Sequence, residues 1–260
     1  LKPNKLLVVV PHSGIMIPAE IPVSSLSDEF PLLMKNVDWY THWLYDFEDI
    51  LDSGPVTFPY SSLVLEANRN PAEIDSAVPL LDTTGRQVYR AGHEPDEKLR
   101  RRLAHKYLDV FHRAISRVIR RGSAFMLDGH STLTARGVGA NQIELMNYQV
   151  LQPDGAVQRF CPDSFIQAYA EELAIRLEGI RITVNESGYH HVYGHICGRH
   201  SVDAPRRVGD RVPAILQETN QALYMRSDGT PDLAALEVLR RAFAGALSAM
   251  LDRMRPDLRR

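Results

Sequence analysis

Apolar positions along this chain follow two different periods that take turns. Leu6-Leu7-Val8-Val9-Val10 is an unbroken aliphatic run, the pattern of a strand buried on both faces of a sheet. Similar short runs at Leu63–Glu66, Ala124–Leu127, Ile180–Val184 and Ala214–Glu218 predict four more strands. Between them the apolar spacing changes to three and four residues, which predicts helices over Asn36–Leu51, Pro95–Arg121, Asp163–Leu177 and Pro231–Met254. In the second helix Leu99, Leu103, Tyr107, Val110, Ala114 and Val118 make one stripe. Pro95 and Asp96 suit its start and Gly122 its end. In the last, the stripe is Leu233, Leu236, Leu239, Phe243 and Leu247. Strands alternating with helices predict an α/β protein, a three-layer α/β/α sandwich on a mixed, mostly parallel central sheet. No repeat or low-complexity linker divides the chain, so residues 1–260 are expected to form one domain.

Composition narrows the function classes. Residues are 44% hydrophobic and 24% charged, and the net charge is -2, so no overall basic field points to nucleic acid. The local run Lys98-Leu99-Arg100-Arg101-Arg102 reads as a solvated basic helix face. No apolar stretch approaches the ~18 residues of a membrane span, and no signal peptide is read in the first residues. Two cysteines, Cys161 and Cys197, are too few for a disulfide framework and fit a reduced, cytoplasmic setting.

The reactive side chains collect where predicted strands end, the edge at which open α/β sheets bind ligands. Pro11-His12-Ser13-Gly14 follows the first strand, and Asp128-Gly129-His130-Ser131 follows Ala124–Leu127. Two histidines leaving neighbouring strands can meet at one ion, since imidazole nitrogen at about 2.0–2.1 Å is a standard zinc ligand. For His12 the alternative is a turn histidine that caps backbone groups. A catalytic zinc takes three protein ligands, and no HxxH or HExxH spacing supplies the third. Asp38, expected on a first helical turn capped by Asn36, is the leading choice, with Glu66 and His42 competing. Arg69, after Leu63–Glu66, offers a planar fork for a carboxylate. Glu218, after four mostly apolar residues, suits a partly desolvated general acid/base, or else a helix-start acid. His190, His191 and His195 form a histidine-rich loop that can line a pocket or hold a second metal.

Taken in order, these pieces resemble the N-formylglutamate amidohydrolase family. The resemblance is carried by Val10-Pro11-His12-Ser13-Gly14 with Ile17-Pro18, Asp38-Trp39 with Leu44-Tyr45-Asp46, and Asn68-Arg69. It continues through Val88-Tyr89-Arg90, Pro95-Asp96-Glu97, Tyr107, Phe111-His112, Asp128-Gly129-His130-Ser131 and Gln217-Glu218 with Tyr224-Met225. The likeness implies a zinc-carboxypeptidase-like fold and one divalent metal ion, zinc, held by His12, Asp38 and His130. It implies Glu218 as general acid/base, and Asn68 and Arg69 on a substrate carboxylate, with Ser131, Gly194 and His195 as further substrate contacts. Glu66 and Asp128 would orient the metal-binding histidines. The implied substrate is a small N-acyl amino acid, N-formyl-L-glutamate first, with no nucleic-acid or membrane partner. Alternatives are another N-acyl amino acid or small peptide, or a non-catalytic binding protein on the same scaffold. Departures fall at Glu66, where the family's Asp-Leu-Asn-Arg motif carries Asp. They recur at Tyr193-Gly194-His195-Ile196, where the family reads Gly-Gly-Tyr-Ile.

Overall fold

The structure is a computed structural model, and it describes residues 6–134, 138–191 and 194–255; the side chains of Asn36, His190 and His191 lie outside the description, as does Tyr193. Its strands are β1 (Leu6–Val10), β2 (Val56–Thr57), β3 (Phe125–Thr132), β4 (Gln142–Met146), β5 (Tyr148–Val150), β6 (Val157–Arg159), β7 (Arg181–Val184) and β8 (Ala214–Asn220). Six of them form one sheet in the order β2-β1-β3-β8-β4-β7, while β5 and β6 pair as a separate antiparallel ribbon. β2, β1, β3 and β8 run parallel; β4 is antiparallel to β8 and parallel to β7. The expected mixed, mostly parallel sheet is what forms.

Alternation of side chains along the strands gives the sheet two apolar faces. On one, Leu6, Val8, Phe125, Leu127, Ile143, Leu145 and Ile215 pack with Phe165 and Tyr169 of helix Asp163–Arg176. Phe243 and Leu247 of helix Leu233–Arg253 complete that layer. On the other, Leu7, Val9, Met126, Met146, Ala214 and Leu216 meet Leu103, Leu108, Phe111 and Ile115 of the 97–120 helix, and Ile196 and Cys197 of helix His195–His200. The order is therefore helix, sheet, helix. Among the described residues no helix is long and apolar enough to cross a membrane.

Several local expectations need correction. Leu63–Glu66 is not a strand but a buried turn, closed by Val64 N and Leu65 N on Ser61 O; the strand of this region is the two-residue β2. The apolar run is real, but it fills the core as a turn because Leu63, Val64 and Leu65 are all buried there. Asn36–Leu51 is not one helix: Met34–Asn36 is a 3-10 turn, Val37 is extended, and short helices occupy Thr41–Leu44 and Glu48–Leu51. Asp38 thus sits in the break between turns and not on a capped first turn.

The long basic helix also differs in register. It starts at Glu97, capped by the Asp96 carboxylate accepting from Leu99 N, and contains a π turn over Ala104–Leu108. A π turn adds one residue, so every later position rotates by about 100° around the axis. The buried stripe becomes Leu103, Leu108, Phe111, His112, Ile115 and Ile119, whereas Val110 is half exposed. Arg100 is not on the solvated face either. It is buried, donating to Val78 O and Ile74 O and pairing with Asp75. In the last helix Asp232 caps the start and Leu233 is exposed, leaving the stripe to begin at Leu236.

Candidate metal and hydrolytic site

The site is built where β1, β3 and β8 run side by side. β3 and β8 run past their predicted ends, so His130, expected after its strand, lies within β3, and Glu218, expected as the last residue of its strand, lies inside β8, the two paired in register. Because Met126 and His130 are an even number of residues apart, His130 and Asp128 point to the face of the sheet on which Met126 is packed. Glu218 points the same way, in step with Leu216. His12 follows β1 by two residues. There the chain runs so close to its neighbour that a Cβ on Gly14 would lie 2.3 Å from the Pro59 carbonyl carbon and 2.4 Å from Phe58 O. Only glycine fits there.

His12 Nδ1 and His130 Nδ1 face each other at 3.2 Å, and Asp38 Oδ2 lies 3.6 Å from the first and 3.7 Å from the second. Ligands about 2.0–2.1 Å from a tetrahedral ion stand about 3.3–3.4 Å apart, so these three atoms have the spacing of three corners around zinc. They are also, among the described residues, the His/Asp group close enough to hold a metal ion. The opposite nitrogens are both backed by carboxylates. His12 Nε2 meets Glu66 Oε1 at 2.6 Å, and His130 Nε2 meets Asp128 Oδ1 at 3.0 Å. Such partners fix the tautomer and leave Nδ1 of each ring as the nitrogen available to an ion. Asp38 is aimed by the Ser131 backbone N–H, which donates to Oδ2 at 3.0 Å. Of the competing third ligands, Glu66 is engaged behind His12. His42 lies half-buried with its ring edge on Trp43, outside the group.

Charge follows from this crowding. Burial lowers the His12 pKa, but the charge of Glu66 and hydrogen bonds to Asp38 and Glu66 outweigh it and carry it to about 9. His130 is raised well above its usual value, with Asp128 overcoming burial. Burial opposes ionisation of Glu66, yet His12 and then Arg69 hold it down to about 2. Glu218 moves the other way. Burial pushes its carboxyl up to about 8, against the pull of His130. Its Oε2 is buried without a hydrogen-bond partner among the described residues, an acceptor with nothing yet to accept from.

Other expected residues take different positions. Asn68 is buried, and its polar groups turn inward: the backbone N–H donates to Glu66 Oε1, Oδ1 accepts from Ile196 N, and O accepts from His195 N. Arg69 is partly exposed and donates from Nη1 to Asn68 O. Ser131 Oγ accepts from Gln221 Nε2, so its hydroxyl is held within the wall. Gly194 N donates to Gln149 Oε1. His195 is buried with its ring edge-on to His112, and burial followed by the charge of Arg199 brings its pKa down to about 4.

Two supporting residues had no role assigned from sequence. Tyr45 Oη donates to His130 O at 2.8 Å, and its ring lies where a Cβ on Gly129 would come within 2.7 Å. Glu144 sits opposite Glu218 across β4 and β8, fully buried, and accepts from Thr183 Oγ1, Glu186 N and Ser187 N. Because β7 runs against β8, the chain after Val184 leaves by the far edge. Glu144 draws it back across the face, so that Tyr189 Oη meets Thr132 Oγ1 at 2.5 Å. A charged residue inside the apolar run Ile143-Glu144-Leu145-Met146 was the available signal. A groove of about 450 Å³ between Glu20–Pro22 and His93–Arg102 contains none of these residues.

Comparisons with known proteins bear on the fold and the family. Among solved structures, an N-formylglutamate amidohydrolase from Ralstonia eutropha JMP134 aligns at 18% identity, covering 98% of this chain and 95% of that one, with a TM-score of 0.64. A gene product from Agrobacterium tumefaciens aligns at 16% identity over 97% and 90% of the two chains, with a TM-score of 0.65. At those identities the likeness is one of fold. No curated protein matches. The sequence model of N-formylglutamate amidohydrolase, however, matches residues 4–225, a span that includes both histidines, Asp38, Arg69 and Glu218. With most of the chain matched, the protein belongs to the N-formylglutamate amidohydrolase family.

Proposed function

We propose that this chain hydrolyses the amide bond of an N-acyl amino acid, N-formyl-L-glutamate first, giving formate and glutamate. The carrying observation is the arrangement of His12 Nδ1, His130 Nδ1 and Asp38 Oδ2 at zinc-like spacing, with a carboxylate behind each histidine. These three residues hold one divalent ion, zinc by the nitrogen-rich donor set. When bound, the ion polarises the amide carbonyl and lowers the pKa of water at the site, to about 7 in favourable cases.

Glu218 then acts as the proton carrier. With its pKa poised by burial, its carboxylate takes a proton from the attacking water as the water oxygen bonds to the acyl carbon. It returns that proton to the amide nitrogen as the C–N bond breaks. Arg69, partly exposed beside the site, pairs with a carboxylate of the amino-acid part. Glu66 and Asp128 keep both histidine rings turned with Nδ1 inward.

The test is elemental analysis of purified protein together with an N-formylglutamate hydrolysis assay before and after chelation. About one zinc per chain and chelator-sensitive release of glutamate are expected. Glu218→Gln should keep the metal and lose most turnover; wild-type turnover in that variant would remove Glu218 from its role. Metal without this activity would redirect the assignment to another N-acyl amino acid or small peptide. Neither metal nor activity, even after zinc is restored, would favour a non-catalytic binding protein.

A further inference from the structure

Helix His195–His200 is fastened at both ends and in its middle. Gly194 N, just before it, bonds Gln149 Oε1; Gly198 O accepts from Gln158 Nε2; His200 Nε2 lies 3.1 Å from His112 Nδ1. Its two middle contacts go elsewhere. Ile196 N donates to Asn68 Oδ1 at 2.9 Å, and Cys197 Sγ lies 3.5 Å from Asp128 Oδ2. Asn68 and Asp128 are far apart in sequence, yet both side chains end on the same atom. Asp128 Oδ1 is 3.0 Å and Asn68 Nδ2 is 3.5 Å from His130 Nε2.

We propose that Asn68 and Cys197 are positioning residues that clamp the His130 ring from behind, with helix His195–His200 as the rigid bar that sets both. The deduction follows from valence. His130 Nε2 carries one proton, and the nearer Asp128 oxygen accepts it. The Asn68 amide nitrogen, itself a donor, therefore cannot bond there and acts as a stop against the ring edge. Asn68 Oδ1 is held by Ile196 N, so the amide cannot rotate away without breaking a buried bond. The second Asp128 oxygen needs a donor of its own, and the Cys197 thiol is that donor. Cys197 stays protonated because burial raises its pKa, so it gives a proton and does not repel the carboxylate.

This assignment parts Asn68 from Arg69. Asn68 has turned its amide into the protein, whereas Arg69 remains partly exposed. A substrate carboxylate is then gripped by Arg69, and Asn68 acts on the metal through His130. The inference rests on the proposed metal site for its effect on zinc, but the clamp itself exists in the metal-free protein.

Two readouts separate the two. In metal-free protein labelled with 15N-histidine, the buried His130 Nε2–H should appear as a slowly exchanging downfield proton. Asn68→Ala and Cys197→Ala should each speed its exchange or broaden it. Asn68→Asp, which keeps an acceptor for Ile196 N, and Cys197→Ser, which keeps a donor for Asp128, should preserve it. Zinc competition against a chromophoric chelator should show about tenfold weaker binding for the alanine variants, the low end of what loss of a ligand's orienting partner costs. The Asp and Ser variants should stay within about threefold of wild type.

A substrate-contact role predicts the reverse ranking, because Asn68→Asp would repel a substrate carboxylate and raise KM most while Asn68→Ala left zinc affinity intact. That ranking, or an unchanged Nε2–H signal in both alanine variants, overturns the clamp. If wild type binds no zinc at all, the proposed metal site fails while the Nε2–H measurement still decides the clamp.

Discussion

Glu218 is the residue whose position carries most consequence, since its buried carboxyl has an oxygen with no hydrogen-bond partner among the described residues. Its folded pKa of about 8 lies above the ordinary 4.5, with burial the leading cause. A carboxyl shifted upward stabilises the folded state fully below its unfolded pKa. That contribution is lost as pH rises through the folded value, because ionisation is easier in the unfolded chain. The loss therefore runs from about pH 4.5 to beyond pH 8. Glu218→Gln cannot ionise and should escape it. In metal-free protein the Tm of Glu218→Gln minus that of wild type should be near zero at pH 5 and clearly positive at pH 8.5. A difference that stays flat across this range would mean that Glu218 is not desolvated. His12 and Glu66 titrate in both proteins, so the subtraction removes their shared contributions to first order.

At the scale of elements, the 97–120 helix shows why a stripe read from spacing can be right in kind and wrong in phase. Its π turn moves Val110 out to solvent and brings Ile115 and His112 into the core. Ile115→Ala removes buried methyl groups and should cost about 2–5 kcal/mol, whereas Val110→Ala should stay within about 0.5 kcal/mol. Urea unfolding of the two variants checks this; equal destabilisation would contradict the observed register. The same phase brings His112 against His200 and His195, so the helix supports the back of the site as well as the sheet. Burial, with the charge of His200 next, holds His112 down to about 2, and a neutral ring is what lets it stay in that core.

Over the whole molecule, the proposed metal is held by three segments that are distant in sequence: the turn after β1, the break after Val37, and β3. An ion bound only in the folded state stabilises by about 2.7 kcal/mol at 100 times its Kd. At roughly 2–4 °C per kcal/mol for a chain of this size, zinc should raise the Tm by about 5–11 °C. His130→Ala should remove most of that rise. A wild-type Tm indifferent to zinc, or an equal rise in the variant, would dissociate the fold from the metal. His12, Asp38 and His130 are thus joined in one prediction about the molecule rather than about any of them singly.

Much of this was legible in the sequence because local chemistry carried it. The run Leu6–Val10 can be little other than a buried strand, and the apolar starts of β3 and β8, up to Leu127 and Leu216, announce themselves in the same way. The chemical types at the site were also legible: two histidines, a lone Asp, an Arg and a buried Glu, each beside a stretch able to hold it still. What spacing could not supply was direction. His130 and Glu218 stand inside their strands because β3 and β8 extend one another through mutual hydrogen bonds, which depend on pairing and not on either strand's residues alone. Leu63–Leu65 became a core turn closed on Ser61 O, and a π turn rotated a stripe whose spacing had looked sufficient. Asn68 was expected as a substrate contact, and only the folded chain shows its oxygen taken by Ile196 N of helix His195–His200. Residue type and burial tendency are local properties, so the chain alone determined them. Which atom of a side chain meets which partner is set by segments that touch only after folding, and that the tertiary structure decided.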